Sequence, residues 1–261
     1  MNVTRWFLVM LAGFGTHAVH AAACPDVKTL DAITKMGSVF IGEMHGTNEA
    51  PAFVQCVVEH DVARGIHPTV ALEQLSPARD LHWPGWSATD GRASKAMARL
   101  VRWLDGQEKA GKLTTYWMYD SVMRDFPASQ DKADQYMGEG LMPLVAKGTV
   151  IAYAGNAHAQ KSQHMGADVK PAGAYVADTM RHIIVTAAHD GTTWACMGAC
   201  AVQHLPGVAA FTPGQLTAVG TAQSEQLQGY DYVYAVPSFS ASPPQLGASH
   251  TPATATAAPH P

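Results

Sequence analysis

Charge is scarce in this sequence. Asp, Glu, Lys and Arg make up 15% of it, and the formal net charge is −4. No long basic run occurs, so the electrostatic footprint of a nucleic-acid binder is missing. Several signatures are missing as well: a Gly-x-Ser-x-Gly elbow, a helical His-Glu-x-x-His, a P-loop and a Gly-x-Gly-x-x-Gly fingerprint. The familiar serine-nucleophile, zinc-protease, phosphate-cradling and dinucleotide-binding solutions therefore have no motif to rest on. There is no internal repeat of solenoid type. What remains is an ordinary globular composition, 47% hydrophobic over 261 residues, which predicts a single domain with a sizeable core.

The first residues read as a secretion signal spanning 1–23. Arg5 supplies the positive start, Trp6 to Phe14 an apolar stretch too short to span a bilayer, and Ala21-Ala22-Ala23 a small-residue cleavage site. The expected location is periplasmic or secreted, with no transmembrane span in the mature chain. Cys24 directly after Ala23 also suits a lipoprotein anchor, although Ala21 stands where such sites prefer Leu. Export favours paired cysteines. Four are present, allowing three pairings. Cys196 and Cys200 form a tight local pair expected to be a disulfide, since no second pair with zinc-like spacing accompanies them. Cys24 and Cys56 are then left over. Residues 237–261 are rich in Pro, Ser, Ala and Thr and read as a disordered tail, leaving 24–236 as the folded domain.

Between these ends, short apolar runs alternate with helical periodicities. Ser38 to Gly42, Thr69 to Leu72, Thr115 to Tyr119 and Thr149 to Ala154 read as buried strands. Ala50, Phe53, Val54, Val57 and Val58 share one helical face, as do Ala93, Met97, Leu100, Val101 and Leu104. Tyr136 to Val145 predicts a further helix, and Tyr230 to Val236 a last strand. Asp190-Gly191 between the apolar runs 182–188 and 192–195 is a hairpin signal. The expectation is an α/β fold: a largely parallel central sheet with helices on both faces, plus an antiparallel hairpin near the C-terminus.

The strands run into titratable residues. The first leads to Glu43-Met44-His45, the second to Glu73, the third to Asp120, and the fourth to Gly155-Asn156-Ala157-His158. Open α/β sheets bind ligands outside the carboxyl ends of their strands. Parallel pairing would bring Glu43, His45, Glu73 and His158 into one crevice, with Glu49 at its edge and Lys161 and His164 close by. Two chemistries suit such a set. A histidine of near-neutral pKa, oriented by a carboxylate, can deprotonate water. Alternatively, His45, His158, Glu43 and Glu73 can hold a divalent cation that activates water. Trp83 and Trp86, in a Pro/Gly-containing loop, are candidates to line a cleft.

The run Gly42-Glu43-Met44-His45-Gly46-Thr47-Asn48-Glu49 resembles the erythromycin-esterase-like group and the wider superfamily of TIKI/TraB proteases and ChaN haem-binding proteins. Gly42 to His45 and Gly155 to His158 look like the paired Gly-x-x-His motifs of that superfamily, and Glu73 matches its internal acidic residue. Asp90-Gly91-Arg92 with Ser94 and Met97, and Ser240 to Pro244, are similar to exported members. The resemblance spans nearly all of residues 38 to 244. It implies a hydrolase of an ester, lactone or peptide-type bond acting on a small-molecule or peptide substrate. Esterase relatives imply His45 as base with Glu43 and Glu73 in support and no metal. TIKI relatives imply a divalent metal (Zn, Mn or Co) on His45 and His158 with a carboxylate. ChaN relatives imply haem binding instead. Arg92, Asn156, Glu49, Asp120 and Lys161 form the expected substrate-binding set. One departure stands out: Ala133 precedes Asp134 where the family commonly has Arg-Asp.

Overall fold

A computed structural model of the protein describes residues 24–123, 130–162, 169–197, 199–220 and 227–247. The segment read as a secretion signal and His164 lie outside the described residues. Seven strands form one sheet: β1 (Val39–Glu43), β2 (Thr69–Leu72), β3 (Thr114–Trp117), β4 (Val150–Gly155), β5 (Arg181–Ala187), β8 (Leu216–Ala218) and β9 (Tyr232–Val236). Their order is β3-β2-β4-β1-β5-β9-β8. All neighbours pair in parallel except β8, which runs antiparallel to β9 at the edge. The remaining strands, β6 (Gly191–Met197) and β7 (Ala199–Leu205), form an antiparallel pair of their own.

The sheet is covered on both faces, and strand alternation separates the two cores. Val39, Ile41, Val70, Leu72, Ile151, Tyr153, Ile183 and Val185 pack with α1 (Val27–Thr34), α2 (Glu49–Ala63) and α3 (Lys95–Lys109). Phe40, Ala71, Val150, Ala152, Ala154 and Ile184 pack on the other side with α4 (Met118–Met123) and α5 (Gln130–Val145). Burial on both sides is why these strands read as continuous apolar runs.

Three expectations change in detail. The third strand stops at Trp117, and Met118 and Tyr119 begin α4 instead. The run 182–188 does not form a hairpin with 192–195. It lies between β1 and β9 in the parallel sheet, because Ile183, Ile184 and Val185 are buried on alternating faces. The hairpin lies one strand later, as β6–β7. Residues 237–247 are packed, contrary to the disordered-tail reading. Phe239 and Ser242 are buried, and bridges join Thr47 to Ala241 and Ser94 to Pro244. Hydrogen bonds hold this segment: Ser242 Oγ accepts from Ala96 N at 2.9 Å, and Ser240 N and Oγ donate to Glu49 at 2.8 and 2.5 Å. Residues 248–261 lie outside the described residues.

Both expected disulfide sulfurs, Cys196 and Cys200, are joined, and Cys24 is joined to Cys56. A sulfur engaged with Cys56 is not available for the thioether of a lipoprotein. Among the described residues, no helix is long and apolar enough to cross a membrane.

Candidate active site

The site lies where the connections diverge. From β1 the chain passes over one face to β2, on one side; from β4 it passes over the other face to β5, on the far side of β1. Adjacent strands whose connections leave in opposite directions open a crevice at their carboxyl ends, which is where such sheets bind ligands. β1 and β4 are in register there, with Glu43 opposite Gly155.

Glu73 is the hub, and it is buried. Its Oε2 accepts from Gly155 N at 2.6 Å and faces His45 Nε2 at 3.6 Å. Its Oε1 faces His158 Nε2 at 3.5 Å and Arg92 Nη1 at 3.4 Å. Each imidazole is fixed from behind by a second buried carboxylate. His45 Nδ1 donates to Glu43 Oε1 at 2.8 Å, and His158 Nδ1 donates to Asp134 Oδ1 at 2.7 Å. Tyr153 donates its hydroxyl to the other oxygen of Glu43, and Ala172 N donates to Asp134 Oδ1 at 2.9 Å. Arg92 is gripped by Asp90, at 2.8 Å from Nε and 2.5 Å from Nη2, and lies 5.3 Å from the Tyr119 ring centroid. Buried carboxylates require such partners, because an unpaired one is too costly to desolvate.

These charges set the protonation. Burial by itself pulls His45 down, but the negative Glu73 and Glu43 outweigh it and push the imidazole up to about 9. His158 is pulled down by burial and raised on balance by Asp134 and Glu73. His45 is therefore mainly an imidazolium at neutral pH, which replaces the expectation of a near-neutral base.

Glycines make the cluster this tight. A Cβ at Gly155 would lie 2.6 Å from His45 Nε2, and one at Gly91 would lie 2.9 Å from His45 Cβ. A Cβ at Gly42 would lie 2.6 Å from the Tyr230 hydroxyl. Gly42 and Gly155 are thus needed for space and not for an unusual backbone conformation; the left-handed residues are Gly46 and Gly91, at φ 73° and 89°.

No family model matches the sequence, and no curated protein sequence matches it either. Solved structures do. A succinoglycan biosynthesis protein superposes with a TM-score of 0.57 at 10% identity, covering 82% of this chain and 92% of its own. A mutant of the erythromycin esterase EreC, in its open conformation, gives 0.52 at 11% identity, covering 81% and 93%. The fold is the one seen in EreC. ChaN of Campylobacter jejuni, with cofacially bound haem, aligns at a TM-score of 0.35 and 12% identity over 78% and 89% of the chains, too loosely to support an argument.

On this EreC-like scaffold the four residues Glu43, His45, Glu73 and His158 come together, and Arg92 joins them. The others are placed elsewhere. Glu49 is held by Ser240. Asp120 Oδ1 accepts from Ser76 N at 2.9 Å. Lys161 pairs with Asp231 at 2.5 Å. Asn156 is exposed and lines a separate cavity with Met44 and Tyr230. Trp86 is core, with its indole N–H bonded to Ala78 O and Asp80 O, whereas Trp83 lines a cavity that opens onto Glu73 and Arg92. Asp134, Asp90 and Tyr153 complete the cluster; the first two stand in family-like motifs, but none of the three is among the expected site residues. Asp134 had a readable signal: it sits on the buried stripe of α5 with Met137 and Leu141, where an acid needs a partner.

Proposed function

We propose that this protein is a hydrolase of an ester, lactone or peptide-type bond, with His45 as the general base. The observation that carries the reading is the fixed tautomer of His45. Glu43 accepts the hydrogen bond from Nδ1–H, so the neutral ring presents a basic Nε2 beside the buried Glu73. Water attacks the substrate carbonyl carbon and gives a proton to Nε2. The imidazolium that forms lies between two carboxylates, which stabilise the developing charge. His158, whose proton affinity is raised by Asp134 and Glu73, donates a hydrogen bond from its protonated ring to the carbonyl oxygen as it becomes negative and keeps its proton on collapse. Collapse breaks the bond to the leaving group, which takes the proton from His45.

A divalent cation would have His45 Nε2, His158 Nε2 and Glu73 as its ligands, with Glu43 and Asp134 orienting the rings through Nδ1, but the Arg92 guanidinium 3.4 Å from Glu73 opposes a second positive charge there. Among the described residues, no three His, Cys, Asp or Glu side chains converge on a metal-binding geometry. No step is routed through a metal or a haem.

The test is hydrolysis of a panel of 4-nitrophenyl esters, simple lactones and blocked dipeptides. Loss of a general base costs about a hundredfold to ten-thousandfold in rate. His45→Ala should lose that much kcat while retaining the wild-type circular dichroism spectrum. Full activity in His45→Ala would overturn the assignment.

A further inference from the structure

A cavity of about 210 Å³ adjoins the cluster, walled by Glu73, Arg92, Trp83, Gly85, Leu75 and Tyr119. We propose that it binds an uncharged, ring-sized apolar group of the substrate, stacked against Trp83. What that group is attached to rests on the hydrolase reading; the binding itself does not.

Three observations lead there. The first is the platform. A Cβ at Gly85 would lie 2.2 to 2.5 Å from three atoms of the Trp83 ring. The indole therefore rests directly on the Gly85 backbone, a fit that only glycine at this position permits. Trp83 is half-buried and one of its faces remains for the cavity. Aromatic faces held this way favour offset or edge-to-face contact with another ring. The second observation is charge. Arg92 is the cation at this wall, and Asp90 and Glu73 already neutralise it at 2.5 and 3.4 Å. A ligand anion would have to displace a carboxylate, and a ligand cation would meet the guanidinium. Leu75, Ala88, Ala93 and Met123 add apolar wall, and the Gln74 amide is engaged with Arg92 O at 2.9 Å. The third observation is size. The volume falls below the roughly 300–1,000 Å³ of sites for drug-sized ligands, which leaves room for one ring with a short linker.

The experiment is isothermal titration of the full chain with 2-phenylacetamide, a neutral ring with a non-hydrolysed carbonyl, and with acetamide. Wild type should bind 2-phenylacetamide at least tenfold more tightly than acetamide. His45→Ala should keep that preference, because His45 does not line the cavity. Trp83→Ala should lose it. Gly85→Val, which displaces the ring without deleting it, should lose it too, and either variant suffices if the other fails to fold. A kinetic arm compares 4-nitrophenyl phenylacetate with 4-nitrophenyl acetate, and the ratio of kcat/KM should fall tenfold or more in Trp83→Ala. Equal binding of the two amides by folded wild type, or an unchanged preference in Trp83→Ala, overturns the proposal. Trp83-dependent binding with no hydrolysis of any ester upholds the cavity assignment and overturns the hydrolase reading instead.

Discussion

Raising the pH should move the stability and the turnover of this protein in opposite directions, because one proton on His45 governs both. The imidazole has an ordinary value of 6.5 and sits at about 9 in the fold. The folded state thus binds the proton more tightly than the unfolded chain. Its contribution is fully present below pH 6.5 and is lost as pH rises through 9. At 1.36 kcal/mol for each tenfold change in proton affinity, the shift is worth about 3 kcal/mol, or about 6–12 °C in Tm for a domain of this size. Turnover goes the other way, since the base must be neutral. At pH 7 about one molecule in a hundred has His45 free, so kcat/KM should climb with pH until His158, which must stay protonated and is raised by Asp134 and Glu73, begins to lose its proton. The assays are thermal melts and ester hydrolysis from pH 6 to 10, each with wild type and His45→Gln. The wild-type Tm should fall across pH 6.5 to 9 by several degrees more than that of His45→Gln. A wild-type turnover profile flat across this range, or identical pH slopes in the two melting series, would refute the reasoning.

Two further predictions concern the scaffold around that proton. Gly155→Ala should leave the fold intact but cut kcat by about tenfold or more, because its Cβ would lie 2.6 Å from His45 Nε2 and the ring would be driven off Glu73; the ratio of kcat to Tm loss in this variant checks it. Reduction of Cys24–Cys56, which closes a separation of 32 residues, should cost about 3–4 kcal/mol, read as a lower urea midpoint in dithiothreitol that Cys24→Ser/Cys56→Ser reproduces.

The central part of the site could be read from sequence for a physical reason. Strands buried on both faces must be apolar throughout, so the first titratable residue after each run marks the carboxyl rim. That logic locates Glu43, Glu73 and the Gly155–His158 turn without any structure. It fails where a side chain arrives from a helix. Asp134 belongs to α5, where only its place on the buried stripe with Met137 and Leu141 distinguishes it from a carboxylate that faces solvent. Asp120 misleads for a related reason: the third run ends two residues earlier than its aromatic character suggests, and its carboxylate satisfies Ser76 N at the start of a 3-10 turn. The hairpin at Asp190-Gly191 misleads because a turn signal says nothing about which strand a segment will pair with.

The segment after β9 shows most clearly what composition leaves out. A Pro/Ser-rich stretch has little apolar surface to bury, and by that measure it should stay loose. Its stability comes from hydrogen bonds to an already folded rim. Gly46 O accepts from Ser242 N at 2.7 Å and from Trp194 N at 3.0 Å, and His45 O accepts from Thr193 Oγ1 at 2.6 Å. Asn48 N donates to Ser240 O at 3.0 Å, while Asn48 Nδ2 reaches Ala241 O at 3.0 Å. The loop carrying the base is therefore held from both sides by chain that comes about 150 to 200 residues later, as the separations of 148 and 193 for Thr193–His45 and Asn48–Ala241 show. Gly46 is indispensable at the junction, since a Cβ there would lie 2.1 Å from Trp194 O and the residue has φ 73°. β6–β7 supplies that clamp as a separate two-stranded sheet, an arrangement that is only marginally stable alone. The disulfide across its register pair Cys196–Cys200 closes the hairpin, and Cys196 Sγ lies 3.1 Å from Thr89 O, beside the turn that presents Asp90 and Arg92. The cross-link thus sits where it can hold the His45 loop and the Arg92 loop in one geometry, which links the exported, disulfide-bonded character read from the sequence to the chemistry of the site.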